Sequence, residues 1–158
     1  MENNSPIKAE VIPVRQGKPF YPEPFASLVK NRTKRKLGDY FGLTNFGVNL
    51  TTMAPKAVSA LKHCHSKQDE FIYIISGSPT LVYGEHRTKM SAGDCIGFKA
   101  DNGIAHQLIN QTDEDVVYIE VGDRSAGDHV EYPDDDLKLA FKDDGSWSMT
   151  HKDGAPYE

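Results

Sequence analysis

The sequence predicts one all-β domain, a sandwich or barrel with N- and C-terminal arms, on three observations. Between Val48 and Val121 the chain falls into short β-prone runs separated by turn residues, at the spacing of roughly 8–12 residues that such folds use. No stretch of that region sustains an apolar period of 3.6 residues, so helices are expected to be few and peripheral. At 158 residues, the chain is the size of one domain, and a barrel of that length encloses a core and a small cavity.

Taken in order, residues 1–40 read as an N-terminal arm packing on the barrel or on a partner subunit. Ala9 to Val14 is a possible strand. The passage Pro19-Phe20-Tyr21-Pro22-Glu23-Pro24 is too proline-rich to sit inside a sheet. Phe25 to Val29 can open a short helix behind Pro24. The basic run Lys30, Arg32, Lys34, Arg35, Lys36 could receive an anion, but a solvated surface arm is the commoner outcome for such a run. Residues 41–122 form the barrel core, with strands expected at Val48 to Met53, Ala60 to His65, Phe71 to Ile75, Thr80 to Tyr83, Cys95 to Phe98, His106 to Asn110 and Val116 to Val121. The punctuation between them, such as Ser76-Gly77-Ser78-Pro79, Gly84-Glu85 and Asp101-Asn102-Gly103, supplies the residues that turns need. Residues 123–158 are an extension with an acidic turn at Asp134 to Asp136, an apolar stretch Leu137 to Phe141 and a hairpin-like ending around Asp144-Gly145.

Composition narrows the classes of function. With 38% hydrophobic and 26% charged residues, the chain is globular and not a disordered tail. A formal charge of −5 and a pI near 5.7 argue against a surface built to neutralise nucleic-acid phosphates, and no helix-turn-helix pattern precedes the barrel. The N-terminus lacks a basic region followed by an apolar stretch, and no window approaches the roughly 18 apolar residues of a membrane span. Cys64 and Cys95 are too few for a disulfide framework and make no CxxC pair, so a cytoplasmic setting is expected.

The chemistry lies in four residues. His63 and His65 are two apart, so on a strand both imidazoles face one side while Cys64 turns away to pack as a small hydrophobe, as Cys95 is also expected to do. Glu70 follows a turn-like segment that can return a carboxylate to the same point; Asp69 alternates to the opposite face. His106 opens a run distant in sequence, and in a closed barrel such a strand can face the first hairpin. Three imidazoles and one carboxylate suit one divalent transition metal, Mn, Fe, Ni, Co or Zn, with positions left open for water or substrate. His86, His129 and His151 have no ligand partner at useful spacing and read as surface residues. The acidic run Asp134 to Asp136 lacks the spacing of a calcium loop. No catalytic acid or base beyond the ligands is identifiable, and which aromatic residues line the pocket is left open.

His63 to Gly77 has the form His-x-His, four residues, Glu, six residues, Gly, which resembles the first motif of the cupin superfamily. Gly93 to Asn110 resembles the second, and Tyr40 to Leu50 with Val121 to Arg124 are similar to segments of small single-domain bacterial cupins of unassigned activity. The resemblance implies a double-stranded β-helix, or jelly-roll barrel, and implies His63, His65, Glu70 and His106 as metal ligands. Two turns depart from the pattern, with Ala57 in place of a glycine and Lys99-Ala100-Asp101 in place of Pro-x-Gly. The function expected is that of a small metalloenzyme (isomerase, lyase, decarboxylase or dioxygenase) acting on a hydroxy-acid, keto-acid, diol or sugar. The alternative is a barrel that binds or senses such a ligand without turning it over, since fold alone does not decide. A homodimer is expected because arms can cover open sheet edges on a neighbour.

Overall fold

The computed structural model describes residues 5–17 and 20–157; the first residues of the N-terminus, and Pro19 at the head of the proline-rich passage, lie outside them. Among the described residues, twelve strands assemble into three antiparallel sheets. The largest runs β1 (Arg32–Lys36), β2 (Phe46–Met53), β9 (Val116–Asp123), β4 (Glu70–Ser76), β7 (Cys95–Phe98) in spatial order. Facing it is a sheet of β6 (His86–Lys89), β5 (Thr80–Tyr83) and β8 (His106–Ile109). Beside them β3 (Cys64–His65) carries β10 (His129–Glu131), β11 (Lys138–Phe141) and β12 (Trp147–Thr150). This is the all-β jelly-roll.

Period-2 alternation sets what faces inward. In β4, Ile72 and Ile74 are buried between exposed Phe71, Tyr73 and Ile75, and β9 buries Val116 and Tyr118 in the same way. These residues meet Met53 of β2 and, from the opposite sheet, Leu81 and Leu108, forming the barrel core. A second cluster joins Tyr21 and Phe25 of the N-terminal segment to Leu61, Val130, Tyr132, Leu137 and Leu139. Thus residues 129–150 add strands to β3 of their own chain.

Several expectations are corrected. Ala9 to Val14 is not a strand: Ala9–Val11 is a single 3₁₀ turn, and Val14 makes one isolated bridge to Arg35. Ala60 to His65 keeps only Cys64–His65 as a strand, because the preceding residues bend and His63 bridges His106 singly. The basic run is no solvated arm: Arg32–Lys36 pairs along β2, with Lys34 opposite Thr51 and Lys36 opposite Asn49. Long aliphatic stems let Lys and Arg cover a sheet edge while their charged ends reach elsewhere. Cys95 is exposed, since it lies on the outer face with Tyr73, its partner in register. The helix behind Pro24 forms over Phe25–Leu28 (α1). A second short helix, Leu37–Tyr40 (α2), and the polar strand β6 had no apolar pattern to announce them.

Candidate metal centre

Three elements deliver the four residues singled out by spacing. His63 and His106 exchange backbone hydrogen bonds, His63 N–H to His106 O at 3.1 Å and His106 N–H to His63 O at 2.8 Å, which joins the two distant segments at the site. Glu70 opens β4 opposite Gly122 of β9 and Phe98 of β7. One Glu70 carboxylate oxygen, Oε2, lies 3.4 Å from His63 Nε2, 3.4 Å from His65 Nε2 and 3.0 Å from His106 Nε2. Ligand atoms of His63, Glu70 and His106 all fall within 4.8 Å of one another; His65 reaches the group through its approach to Glu70. Asp69 points away, where its carboxylate accepts from Lys99 and the Ala100 amide.

The far side of each ring explains its orientation. His63 Nδ1 is 2.7 Å from the Leu61 carbonyl oxygen and His65 Nδ1 is 2.6 Å from Asp128 Oδ2. Both oxygens can only accept, so Nδ1 carries a hydrogen, and in the neutral ring Nε2 then presents its lone pair to the site. His106 is fixed by stacking on Phe98, with ring centroids 3.6 Å apart and planes 2° apart. Tyr132 stacks on His63 at 5.9 Å.

Asp128 is fully buried and accepts from the Lys67 and Gln68 amides at 2.7 and 3.2 Å as well as from His65. Burial raises its carboxyl, but the His65 contact and these amides outweigh that and hold it below the usual range. The same contest gives Glu70 its charge: burial pushes it up, and the closeness of His106 and His63 pulls it well below an ordinary glutamate. His65 runs the other way, with burial lowering it and the Asp128 pairing raising it to a net increase. Burial outweighs the Glu70 contact at His106 and leaves that imidazole lowered.

Sequence reasoning missed Asp128, Tyr132 and Tyr21. Asp128 lies 63 positions from His65, and nothing in local spacing ties the two. The remaining histidines stay apart from the cluster. His86 and His129 are exposed, and His151 pairs with Asp136 at 2.8 Å. Asn110 is structural: its Nδ2 reaches the carbonyls of Met53, Ala54 and Glu114, and its Oδ1 accepts from Thr112. Cys64 is half-buried, and burial pushes its thiol up.

The four residues open onto a cavity of about 380 Å³, within the range of small-molecule sites. Its wall includes Tyr21, Tyr132 and Tyr118, and a set of basic side chains from β1.

The jelly-roll and this site define the class, and comparison with known proteins places the chain in it: the protein belongs to the cupin superfamily. The model of the cupin domain matches residues 49–122. A sugar phosphate isomerase of the cupin superfamily from Silicibacter pomeroyi is 34% identical, covers 98% of this chain and 97% of its own, and superposes with a TM-score of 0.89. A protein provisionally described as a sugar phosphate isomerase from Acidithiobacillus ferrooxidans is 28% identical over 80% of each chain, with a TM-score of 0.71. The polyketide cyclase RemF from Streptomyces resistomycificus, at 19% identity and a TM-score of 0.61, shares the fold. A comparison with curated protein sequences gives no match. Among the described residues no helix is long and apolar enough to cross a membrane.

Proposed function

We propose that His63, His65, Glu70 and His106 hold one divalent transition metal and that the chain is a small metalloenzyme isomerising a sugar phosphate. The observation that carries the metal reading is the convergence of three Nε2 atoms on one carboxylate oxygen. Glu70 Oε2 is buried and, the imidazoles apart, has no hydrogen-bonding partner among the described residues. A buried anion left without donors is costly unless a cation is shared with its neighbours. Two of the rings already point lone pairs inward, and an N₃O donor set suits a first-row divalent ion. When bound, such an ion acts as a Lewis acid that polarises a carbonyl or hydroxyl oxygen.

The chain's own residues do the rest. Asp128 and the Leu61 carbonyl lock the two imidazoles of the His-x-His pair. Phe98 and Tyr132 wall two of the rings with aromatic surface and limit water. The sugar phosphate reading is supported by the names of the two relatives with the highest coverage reported above. The protein is further proposed to work in the cytoplasm, consistent with two free thiols, and as a homodimer, argued below.

The test is metal analysis of the purified protein together with conversion assays on pentose and hexose phosphates before and after chelation. One bound metal per chain, its loss in His106→Ala and chelator-sensitive isomerisation are expected. A native protein without metal whose affinity is unchanged by His106→Ala defeats the site, and binding with no product by mass spectrometry defeats the enzyme.

A further inference from the structure

We infer that Arg32 is the seat for the anionic end of the substrate, a phosphate or carboxylate held in the cavity while the sugar oxygens face the histidine cluster. The inference rests on the sugar phosphate reading for what lies at the other end. Arg32 begins β1 and sits opposite Met53 on the inward face, half-buried and lining the cavity. Its neighbours on that strand are already engaged: Lys34 with Glu120, which also accepts from Asn49, and Lys36 with Asp39. Arg124, at another part of the wall, pairs with the same Asp39 and donates to the Leu43 carbonyl. Arg32 differs. Among the described residues its guanidinium makes no hydrogen bond and no ion pair.

A half-buried Arg on a cavity wall with no protein acceptor keeps its donors available for an acceptor that arrives with the ligand. The guanidinium fork presents parallel N–H donors that match two oxygens of a phosphate or carboxylate. What surrounds it fits a sugar-sized spacer. Tyr21, Tyr118 and Tyr132 line the same cavity as Arg32, which puts the cation and this aromatic wall on one surface. Tyr132 stacks in turn on His63. The wall therefore runs from the cation to the histidine cluster, so that one ligand can touch both.

The experiment measures binding of ribose 5-phosphate, ribose, ribonate and inorganic phosphate by calorimetry to the wild type, Arg32→Gln and Arg32→Lys, each with and without bound metal. The wild type is expected to prefer ribose 5-phosphate over ribose by about tenfold or more, Arg32→Gln to lose that preference, and Arg32→Lys to keep part of it, with metal content the same in all three. A stronger preference for ribonate than for ribose 5-phosphate identifies a carboxylate as the natural anion and still supports the seat. Retention of the full preference in Arg32→Gln, or no anion preference in the wild type, overturns it. If Arg32→Gln does not fold, the Arg32→Lys ratio decides. An anion preference that survives in protein unable to bind metal separates the two readings, because then the metal proposal fails and the seat stands.

Discussion

In the proposed metal site, a single hydrogen-bond partner sets which nitrogen His65 turns to the cluster. Asp128 accepts from the ring through Oδ2 while Oδ1 receives the Lys67 and Gln68 amides and the Ser66 hydroxyl. In Asp128→Asn the amide oxygen can continue to serve the backbone donors, which turns the NH₂ toward His65 Nδ1. That nitrogen must then accept, the hydrogen moves to Nε2, and the lone pair facing the site is lost. Metal affinity is expected to fall by about 10–100-fold, with folding stability lowered by roughly 1–3 kcal/mol. Titration against a competing chelator checks the first and urea unfolding the second. Unchanged affinity in a folded variant means Asp128 does not govern the ring.

Gly77 closes the turn from β4 to β5 at φ +84°, and a Cβ there would stand 2.6 Å from the Asp115 carbonyl oxygen and 2.9 Å from Val116 Cα. Both obstacles are backbone, and Val116 is part of the barrel core. Gly77→Ala is therefore expected to destabilise by more than about 1 kcal/mol, the penalty of left-handed backbone alone, read as a lower urea midpoint with an unchanged slope. A midpoint equal to the wild type would show that the turn can relax. This glycine was legible in the sequence because turn chemistry and the spacing after Glu70 agree on it. The runs that became β4 and β9 were legible for a similar reason, as β-prone residues bounded by turns are a local property, whereas which of their side chains face inward was not. β1 and β6 were not, since Arg32–Lys36 and His86–Lys89 contain no apolar residue and pair only because a neighbouring strand offers an edge. The site divides along the same line: His63, His65 and Glu70 are close in sequence, while Asp128 and Tyr132 reach them through a sheet whose pairing with β3 no short-range signal encodes.

At the scale of the molecule, the outer face of the five-stranded sheet calls for a partner. Phe46, Phe71, Tyr73 and Ile75 are 42%, 40%, 44% and 45% exposed. They are contiguous with half-buried residues of the same face, because register aligns Val48 with Val121 and Phe71, and Leu50 with Ile119 and Tyr73. Across β2, β9 and β4 these two rows carry no charged side chain, so the surface complements an apolar face. In the proposed homodimer a second copy of the chain would supply one, with a two-fold axis over the sheet setting each row against its own mate. Arms reaching over open sheet edges would offer another route to a dimer. In the structure strands β10 to β12 extend the chain's own β3 instead, which leaves the sheet face as the better candidate. Tyr73→Lys puts a charge on each side of that axis, where desolvation and like-charge repulsion oppose pairing. Light scattering is expected to give a dimer for the wild type and a folded monomer for Tyr73→Lys, with metal content unchanged because Tyr73 faces away from Glu70. A wild type that is monomeric at micromolar concentration, or a variant that stays dimeric, removes this face as the interface.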